Sequence, residues 1–155
     1  YSDGQGILLL RELLELVNAR VPILIEIKNE TYTKSGLNNL IKYLLLYRGK
    51  FSLQSFNPQI LKSIKQKAPH FSIGQLTTLW QNTHVNFWQQ KYLQFAELYN
   101  DIDFISVDKN KLGLKEIIIS RYKNIPLLSW TIKSQQELEQ ASKQASGFIF
   151  ERFLP

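Results

Sequence analysis

The chain has 155 residues, of which 44% are hydrophobic and 21% are charged, and its formal net charge is +6. This size and composition are ordinary for one globular domain with its own core. There is no cysteine and there are only two histidines, which excludes disulfides, thiolate metal sites and a site of several histidines within this sequence. No stretch approaches the ~18 consecutive apolar residues that a membrane span requires.

The surplus of positive charge favours anionic partners such as phosphodiesters. The basic residues are dispersed along the chain and form no run of five, so we expect a solvated surface and no nucleic-acid partner. A basic nucleic-acid-binding domain stays an alternative that rests on net charge alone. Because the chain begins at Tyr1 and contains no methionine, we expect its natural N-terminus to lie upstream.

Short runs rich in β-branched and aromatic residues alternate with longer runs at helical spacing. The predicted strands are 22–28, 51–56, 71–76, 103–107, 127–131 and 147–150. Apolar stripes predict helices within 10–17, 37–45, 60–64, 88–99 and 114–118, the last through Leu114, Ile117 and Ile118. Asn57 and Pro58 are typical of an N-cap and a first helical position, and Ser134 with Glu137 predicts a capping box.

The alternation of strands and helices indicates βαβ units and a parallel sheet in a single domain. Two architectures fit this order: a doubly wound open sheet, or part of a (β/α)8 barrel, which in full has ~250 residues. A dinucleotide-binding sheet favours a glycine-rich turn after its first strand, and the sequence has none. The pattern alone leaves both architectures open.

Glu26 and Lys28 are the clearest candidates for chemistry. Alternate residues of a strand share a face, so Leu24, Glu26 and Lys28 point one way and Ile23, Ile25 and Ile27 point the other way. Barrel enzymes place their chemistry at the C-terminal ends of buried parallel strands. The alternative reading is a structural ion pair at a strand end.

Five motifs in chain order resemble those of the glycerophosphodiester phosphodiesterase family. The segment 23–28 resembles the family's IEIK strand, and 54–58 resembles its strand end of the form SF-x-P. Ala68-Pro69 with 73–76 resembles the segment AP…iGlL, the run 103–107 resembles a later strand, and 130–132 resembles the WTV signature. The resemblance extends from about Gly4 to Pro155.

The resemblance implies a (β/α)8 TIM barrel of the phosphatidylinositol-phospholipase-C-like type, present here only in part. Its activity would be metal-dependent hydrolysis of a small-molecule glycerophosphodiester to glycerol 3-phosphate and an alcohol. By the same resemblance, Glu26 corresponds to a carboxylate that binds a divalent metal ion, Ca²⁺ or Mg²⁺. Lys28 corresponds to a lysine beside the substrate phosphate, and Phe56 and Trp130 correspond to aromatic residues of the substrate pocket.

The sequence also departs from the family. The HRG, E-x-D and HD motifs, which carry two catalytic histidines and two further metal carboxylates, do not occur in it. We therefore expect no catalytic residue in this segment, little activity from it alone, and either association between chains or partner strands from upstream. Nine strands, six here and three in those motifs, are one more than a barrel holds. A non-catalytic module that binds phosphoesters is the alternative function.

Four other polar residues receive weaker assignments. His70 precedes a strand and is expected at a surface turn, away from the active face. His84 lies in an irregular stretch that follows a strand, so a contact with substrate is one possible role and a plain loop position is the other. Asp108 and Glu151 each lie just past a strand end, where they could support a site, but neither is assigned to it.

Overall fold

The computed structural model describes residues 8–29, 33–77 and 96–154. Its strands are β1 (Ile23–Glu26), β2 (Phe51–Ser55), β3 (Ile73–Thr77), β4 (Phe104–Asp108), β5 (Leu127–Ile132) and β6 (Gly147–Phe150). Its helices are α1 (Leu10–Val17), α2 (Lys34–Leu46), α3 (Pro58–Lys67), α4 (Ala96–Tyr99), α5 (Leu114–Lys123) and α6 (Gln135–Ala141), with a 3-10 turn at Lys109–Lys111. No helix in these ranges is long and apolar enough to cross a membrane.

The six predicted strands form one parallel sheet in the order of the chain, β1-β2-β3-β4-β5-β6. A doubly wound sheet would reverse its strand order at a switch point, and this sheet does not. The sheet is a curled half-barrel, consistent with part of a (β/α)8 barrel. Within the described residues, β1 pairs only with β2 and β6 pairs only with β5, which leaves two open edges.

The outer face of the sheet packs against the helices. Leu53, Ile73 and Ile105 lie on three neighbouring strands and are fully buried. They belong to one cluster with the apolar stripe of α3, which consists of Ile60, Leu61 and Ile64. Partly buried Ile23, Ile25 and Ile27 pack against the same cluster. Because side chains alternate along a strand, Glu26 lies on the opposite, inner face.

The two predicted helix caps differ in outcome. The Asn57 side chain accepts a hydrogen bond from the Gln59 backbone N–H at 2.9 Å, and Pro58 opens α3 as predicted. Ser134 caps α6 by accepting from the Glu137 N–H at 3.3 Å. In a capping box the Glu137 side chain would accept from the backbone N–H of Ser134. It accepts instead from the backbone N–H of Lys133, one residue earlier, at 2.7 Å, so the predicted capping box does not form.

The predicted helix α5 is present, but its apolar face is only partly correct: of the three predicted residues, Ile117 packs against the core. Leu114 and Ile118 are exposed, whereas Ile119 and Ser120 are buried. Isoleucine occupies all three positions 117–119, so two different faces of the helix satisfy the apolar spacing. Packing against β4 and β5 selects the face that contains Ile119. Most of the stripe predicted for residues 88–99 lies outside the described residues; its described part is α4.

Gly74 and Phe104 lie side by side on the inner face, at the centre of the sheet. The two residues are register partners on β3 and β4. A Cβ atom added at Gly74 would overlap the Phe104 ring, which therefore occupies the space that a side chain at position 74 would fill. Phe104 is buried by this contact despite the open edges of the sheet.

We predict that Gly74→Ala lowers the free energy of unfolding by about 1–3 kcal/mol, because the methyl group forces the buried ring to move. Denaturant unfolding followed by circular dichroism measures the change. In a double-mutant cycle, Phe104→Leu should relieve part of the cost of Gly74→Ala, because leucine leaves more room above position 74. Strictly additive effects of the two substitutions would contradict this packing.

Candidate functional site

Glu26 and Lys28 form an ion pair at the C-terminal end of β1. The Lys28 ammonium donates to Glu26 Oε1 at 2.6 Å. The Glu26 side chain is 29% exposed and the Lys28 side chain is 61% exposed, so solvent reaches both groups. The structure thus brings the two predicted residues together, while their assigned roles at a metal ion and a phosphate stay predictions.

Hydrogen bonds fix the segment that carries this pair against the end of β2. The Ile27 N–H donates to the Gln54 carbonyl oxygen at 2.8 Å, which extends the pairing of β1 beyond Glu26. The Ser55 hydroxyl donates to the Ile27 carbonyl oxygen at 2.8 Å. Beyond the strands, the Asn57 amide donates to the Asn29 side-chain oxygen at 2.6 Å. These contacts hold the backbone between the two charged residues in an extended conformation.

Phe56 and Trp130 meet edge to face. Their ring centroids are 5.9 Å apart and the ring planes are inclined by 84°. Phe56 follows the last residue of β2, and Trp130 lies in the second half of β5, so both rings lie toward the C-terminal end of the sheet. The Trp130 indole N–H is buried and has no hydrogen-bond partner among the described residues. The two rings offer an apolar surface, and the indole N–H offers a hydrogen-bond donor. Such a pair is suited to a group that has both carbon atoms and an acceptor oxygen.

The inner face contains two polar residues that the sequence analysis did not assign to the site, Gln54 and Ser106. Gln54 is 5% exposed and Ser106 is fully buried. Gln54 Oε1 and Ser106 Oγ have no hydrogen-bond partner among the described residues. Most buried polar side-chain atoms do have partners, so such atoms require an explanation. Their signal in the sequence was a polar residue inside each strand, at a position that shares a face with other inner residues.

The remaining candidates are distributed over both ends of the sheet. His70 lies in an exposed turn between α3 and β3, at the end where strands begin, as predicted. His84 lies outside the described residues. Asp108 caps the 3-10 turn by accepting from the Asn110 N–H at 2.9 Å. Glu151 pairs with Lys133 at 2.9 Å, so both carboxylates have a structural partner.

Two ion pairs at the ends of β4, β5 and β6 lower the pKa of their carboxyl groups. The Lys109 ammonium binds Glu137, and with the hydrogen bond from the Lys133 backbone N–H it lowers the pKa of Glu137. A hydrogen bond from the Lys133 ammonium lowers the pKa of Glu151, with a small further contribution from Arg152. Both glutamates are therefore ionised at neutral pH, and charges of both signs line this part of the rim.

The described residues offer only part of a ligand set for a divalent metal ion. No three histidine, cysteine, aspartate or glutamate side chains gather into a possible metal site within 8–29, 33–77 and 96–154. Glu26 provides one carboxylate on the inner face, and the neighbouring strand provides the unpartnered amide oxygen of Gln54. Both are hard oxygen donors of the kind that Ca²⁺ and Mg²⁺ bind, so their chemistry fits such an ion.

Comparison with solved structures identifies the fold. A Galdieria sulphuraria protein assigned to the glycerophosphodiester phosphodiesterases matches 91% of this chain and 59% of its own length, at a TM-score of 0.71 and 17% identity. An Oleispira antarctica phosphodiesterase in complex with the product sn-glycerol-3-phosphate matches 91% of this chain and 56% of its own length, at a TM-score of 0.69 and 15% identity. A glycerophosphodiester phosphodiesterase from Parabacteroides distasonis matches 92% of this chain and 59% of its own length, at a TM-score of 0.66 and 11% identity.

The chain thus spans a little over half the length of these proteins. The resemblance that the sequence motifs indicate is confirmed at the level of the fold. No family model matches the chain, and a search of curated proteins finds no match either.

We predict that Lys133→Met raises the pKa of Glu151 more than that of Glu137, because Glu137 keeps the Lys133 backbone N–H and the Lys109 ammonium. Lys109→Met should instead raise the pKa of Glu137 and leave that of Glu151 unchanged. Carboxyl chemical shifts in a pH titration by NMR measure both. Because each pKa is lowered in the folded chain, any stabilisation by these pairs is present above the ordinary glutamate pKa and is lost as the pH falls through the lowered value. Equal shifts of both glutamates in either variant would contradict the assignment of partners.

Proposed function

We propose that this chain forms six strands of a (β/α)8 barrel of the phosphatidylinositol-phospholipase-C-like type, and that the whole protein hydrolyses glycerophosphodiesters to glycerol 3-phosphate and an alcohol. One observation carries the proposal: an ion pair and an aromatic pair that match the family's motifs lie toward the C-terminal end of one sheet. That end of a parallel barrel is where catalytic groups are found. The likeness in fold to enzymes of this activity supports the same reading.

The two open edges agree with a barrel that is completed by strands from elsewhere. Six strands in unbroken order leave two positions in an eight-stranded barrel. In this proposal the three missing motifs contribute two wall strands, and the third motif lies outside the wall. The segment that precedes β1 in the chain exposes Leu9, the N-cap residue of α1, and Leu13 and Leu16 within the helix. An upstream strand and its helix would cover this apolar surface and the unpaired edge together.

In the proposed reaction, the residues of this chain bind and orient the substrate. A divalent ion, when bound, neutralises the phosphodiester and stabilises the charge that develops on its oxygens. Glu26 would hold that ion, with further ligands from outside the described residues. Lys28 would turn its ammonium from Glu26 to a phosphate oxygen, a movement that its exposed side chain permits. A lysine in this position adds a second positive charge beside the reacting group.

Phe56 and Trp130 would bound the pocket for the glycerol or the alcohol group. Rings in edge-to-face contact hold one another in place, which presents a fixed apolar wall to the carbon atoms of the ligand. The buried indole N–H of Trp130 would then donate to a ligand oxygen, since it has no partner among the described residues. The wall excludes water from one side of the phosphate.

Proton transfer would come from histidines outside this chain. His70 lies at the opposite end of the sheet from Glu26, so it is too far away to take that role. Attack by water or by a substrate hydroxyl needs a general acid and base, whose contribution is typically about 10²–10⁴-fold in rate. Because the catalytic motifs are absent from this sequence, a module that binds phosphoesters without cleaving them is the second candidate function.

We expect the full natural chain, with Ca²⁺ or Mg²⁺, to release glycerol 3-phosphate from glycerophosphocholine, and the isolated 155 residues to give no measurable turnover. Glu26→Gln in the full chain should abolish turnover while leaving the circular dichroism spectrum unchanged. An enzyme-coupled assay for glycerol 3-phosphate measures the rates. Robust turnover by the isolated residues would show that the catalytic groups are misplaced, and none by the full chain would favour the binding module.

A second ion pair provides the matched control. Lys65 binds Asp103 at 2.9 Å at the N-terminal end of the sheet, so it has the same charges at the opposite end of the strands. Lys65→Met should lower stability and leave turnover per folded molecule unchanged, whereas Lys28→Met should lower turnover. Equal losses of turnover in the two variants would argue against a specific role for Lys28.

Trp130 provides an independent test of the pocket. Trp130→Ala in the full chain should lower kcat/KM for glycerophosphocholine by more than it lowers the folded fraction, because the wall of the pocket is lost. Trp130→Phe keeps a ring and removes only the N–H group, so its effect should be smaller. Steady-state kinetics with a thermal melt of each variant separates the two losses. Unchanged kinetic constants in Trp130→Ala would exclude a pocket role.

A further inference from the structure

Gln54 differs from the other buried glutamine of the sheet. The amide of Gln75 donates to the carbonyl oxygens of Ser55, Phe56 and Leu76 at 2.9–3.2 Å, so it joins the ends of β2 and β3. Gln54 is equally buried, and its Oε1 atom, like that of Gln75, has no hydrogen-bond partner among the described residues. Burying an amide group without a partner costs about 1–3 kcal/mol in proteins. The difference lies in the amide nitrogen: three hydrogen bonds from it hold the Gln75 side chain in place, and no such bond holds Gln54 among the described residues.

The neighbour of Gln54 across the sheet is Glu26. The two residues are register partners on β1 and β2, and both side chains extend from the inner face. Adjacent strands lie about 4.8 Å apart, so the two side chains leave the sheet within reach of one common atom. The hydrogen bonds of Ile27 and Ser55, the residues that directly follow this pair, fix the register. The amide oxygen and the carboxylate are thus held side by side.

The charges at this position favour a cation. A carboxylate and an amide oxygen are both acceptors, and neither one satisfies the other. The Lys28 ammonium lies 2.6 Å from Glu26 Oε1, so this carboxylate already binds a positively charged group. A divalent cation needs several oxygen ligands, of which one carboxylate is too few. An unpartnered amide oxygen on the next strand is a ligand of the required kind.

We propose that Gln54 is a metal-binding residue of this site, which contributes its amide oxygen to the divalent cation held by Glu26. The inference rests on the proposed function for the presence of the cation, and it adds a ligand to which the family's motifs assign no role. It also indicates which ion binds. Amide and carbonyl oxygens are common ligands of Ca²⁺, whereas Mg²⁺ keeps several waters and takes one or two carboxylates. A site that uses Gln54 is therefore a Ca²⁺ site in preference to a Mg²⁺ site.

The test measures affinity for Ca²⁺ and Mg²⁺ by isothermal titration calorimetry, on the full natural chain and its variants without substrate. Gln54→Leu, which removes both polar atoms at nearly constant size, should lower Ca²⁺ affinity at least about tenfold and lower Mg²⁺ affinity less. Gln54→Glu should raise Ca²⁺ affinity, because a charged oxygen replaces a neutral one. Ser106→Ala is the matched control: it removes another unpartnered buried oxygen from the inner face, two strands away, and should leave both affinities unchanged.

The outcomes separate this inference from the proposed function. If Glu26→Gln loses Ca²⁺ binding while Gln54→Leu binds within twofold of the natural chain, Gln54 is not a ligand and the proposed function stands. If Gln54→Glu weakens Ca²⁺ binding, the amide acts as a donor instead, and the inference is wrong. A full chain that binds neither ion overturns both proposals. Should Gln54→Leu fail to fold, the Ca²⁺-dependent rise in melting temperature of Gln54→Glu decides, because it must exceed that of the natural chain.

Discussion

The alternation of side chains along in-register parallel strands is the constraint on which this structure depends. Isoleucines at every second position of β1 pack against the helix layer. Because side chains alternate along a strand, Glu26 faces the inner side of the sheet. The register then places Gln54 beside Glu26 and Gly74 beside Gln54. Because all strands run the same way, the inward-facing residues at their C-terminal ends lie at the same mouth of the sheet. A shift of one residue in any strand would move its polar group into the helix layer.

The inner face of the sheet combines aliphatic, aromatic and polar side chains, since Leu76 and Leu128 are the register partners of Ser106. Bulky aliphatic side chains commonly fill a barrel in layers. In this sheet, the Phe104 ring covers Gly74 at the centre, and Gln54 and Ser106 bring polar atoms to the same face. A single aromatic ring thus replaces part of an aliphatic layer.

The sequence predicts the architecture well because strand composition and helix spacing are local properties. All six strands lie within about two residues of their predicted ends, and the Asn57 cap is correct. The choice between a barrel and a doubly wound sheet required strand order, which depends on contacts between distant segments. The buried face of α5 was predicted only in part for a related reason. Isoleucine at 117–119 fits the apolar spacing of two different faces, and only packing against the sheet decides which face is buried. Gln54 was missed because a lone glutamine in a strand becomes informative only once its missing partner is seen.

Two ion pairs of the same chemistry show how the ends of the sheet differ. At the N-terminal end, Asp103 Oδ2 accepts from both the Lys65 ammonium and the Ile73 backbone N–H, and Lys65 also donates to the Pro69 carbonyl oxygen. This pair has several bonds and a largely buried lysine, so its rearrangement would break the connection of α3 to β3. At the C-terminal end, the Lys28 side chain is 61% exposed, and an ion pair that solvent reaches contributes little to stability. The pair with the largely buried lysine stabilises the fold, and the pair with the exposed lysine lies at the end of the sheet where the proposed substrate would bind. If Glu26 holds a cation as proposed, that cation competes with Lys28 for the same carboxylate, which would favour contact between the Lys28 ammonium and a phosphate group bound at the same end of the sheet.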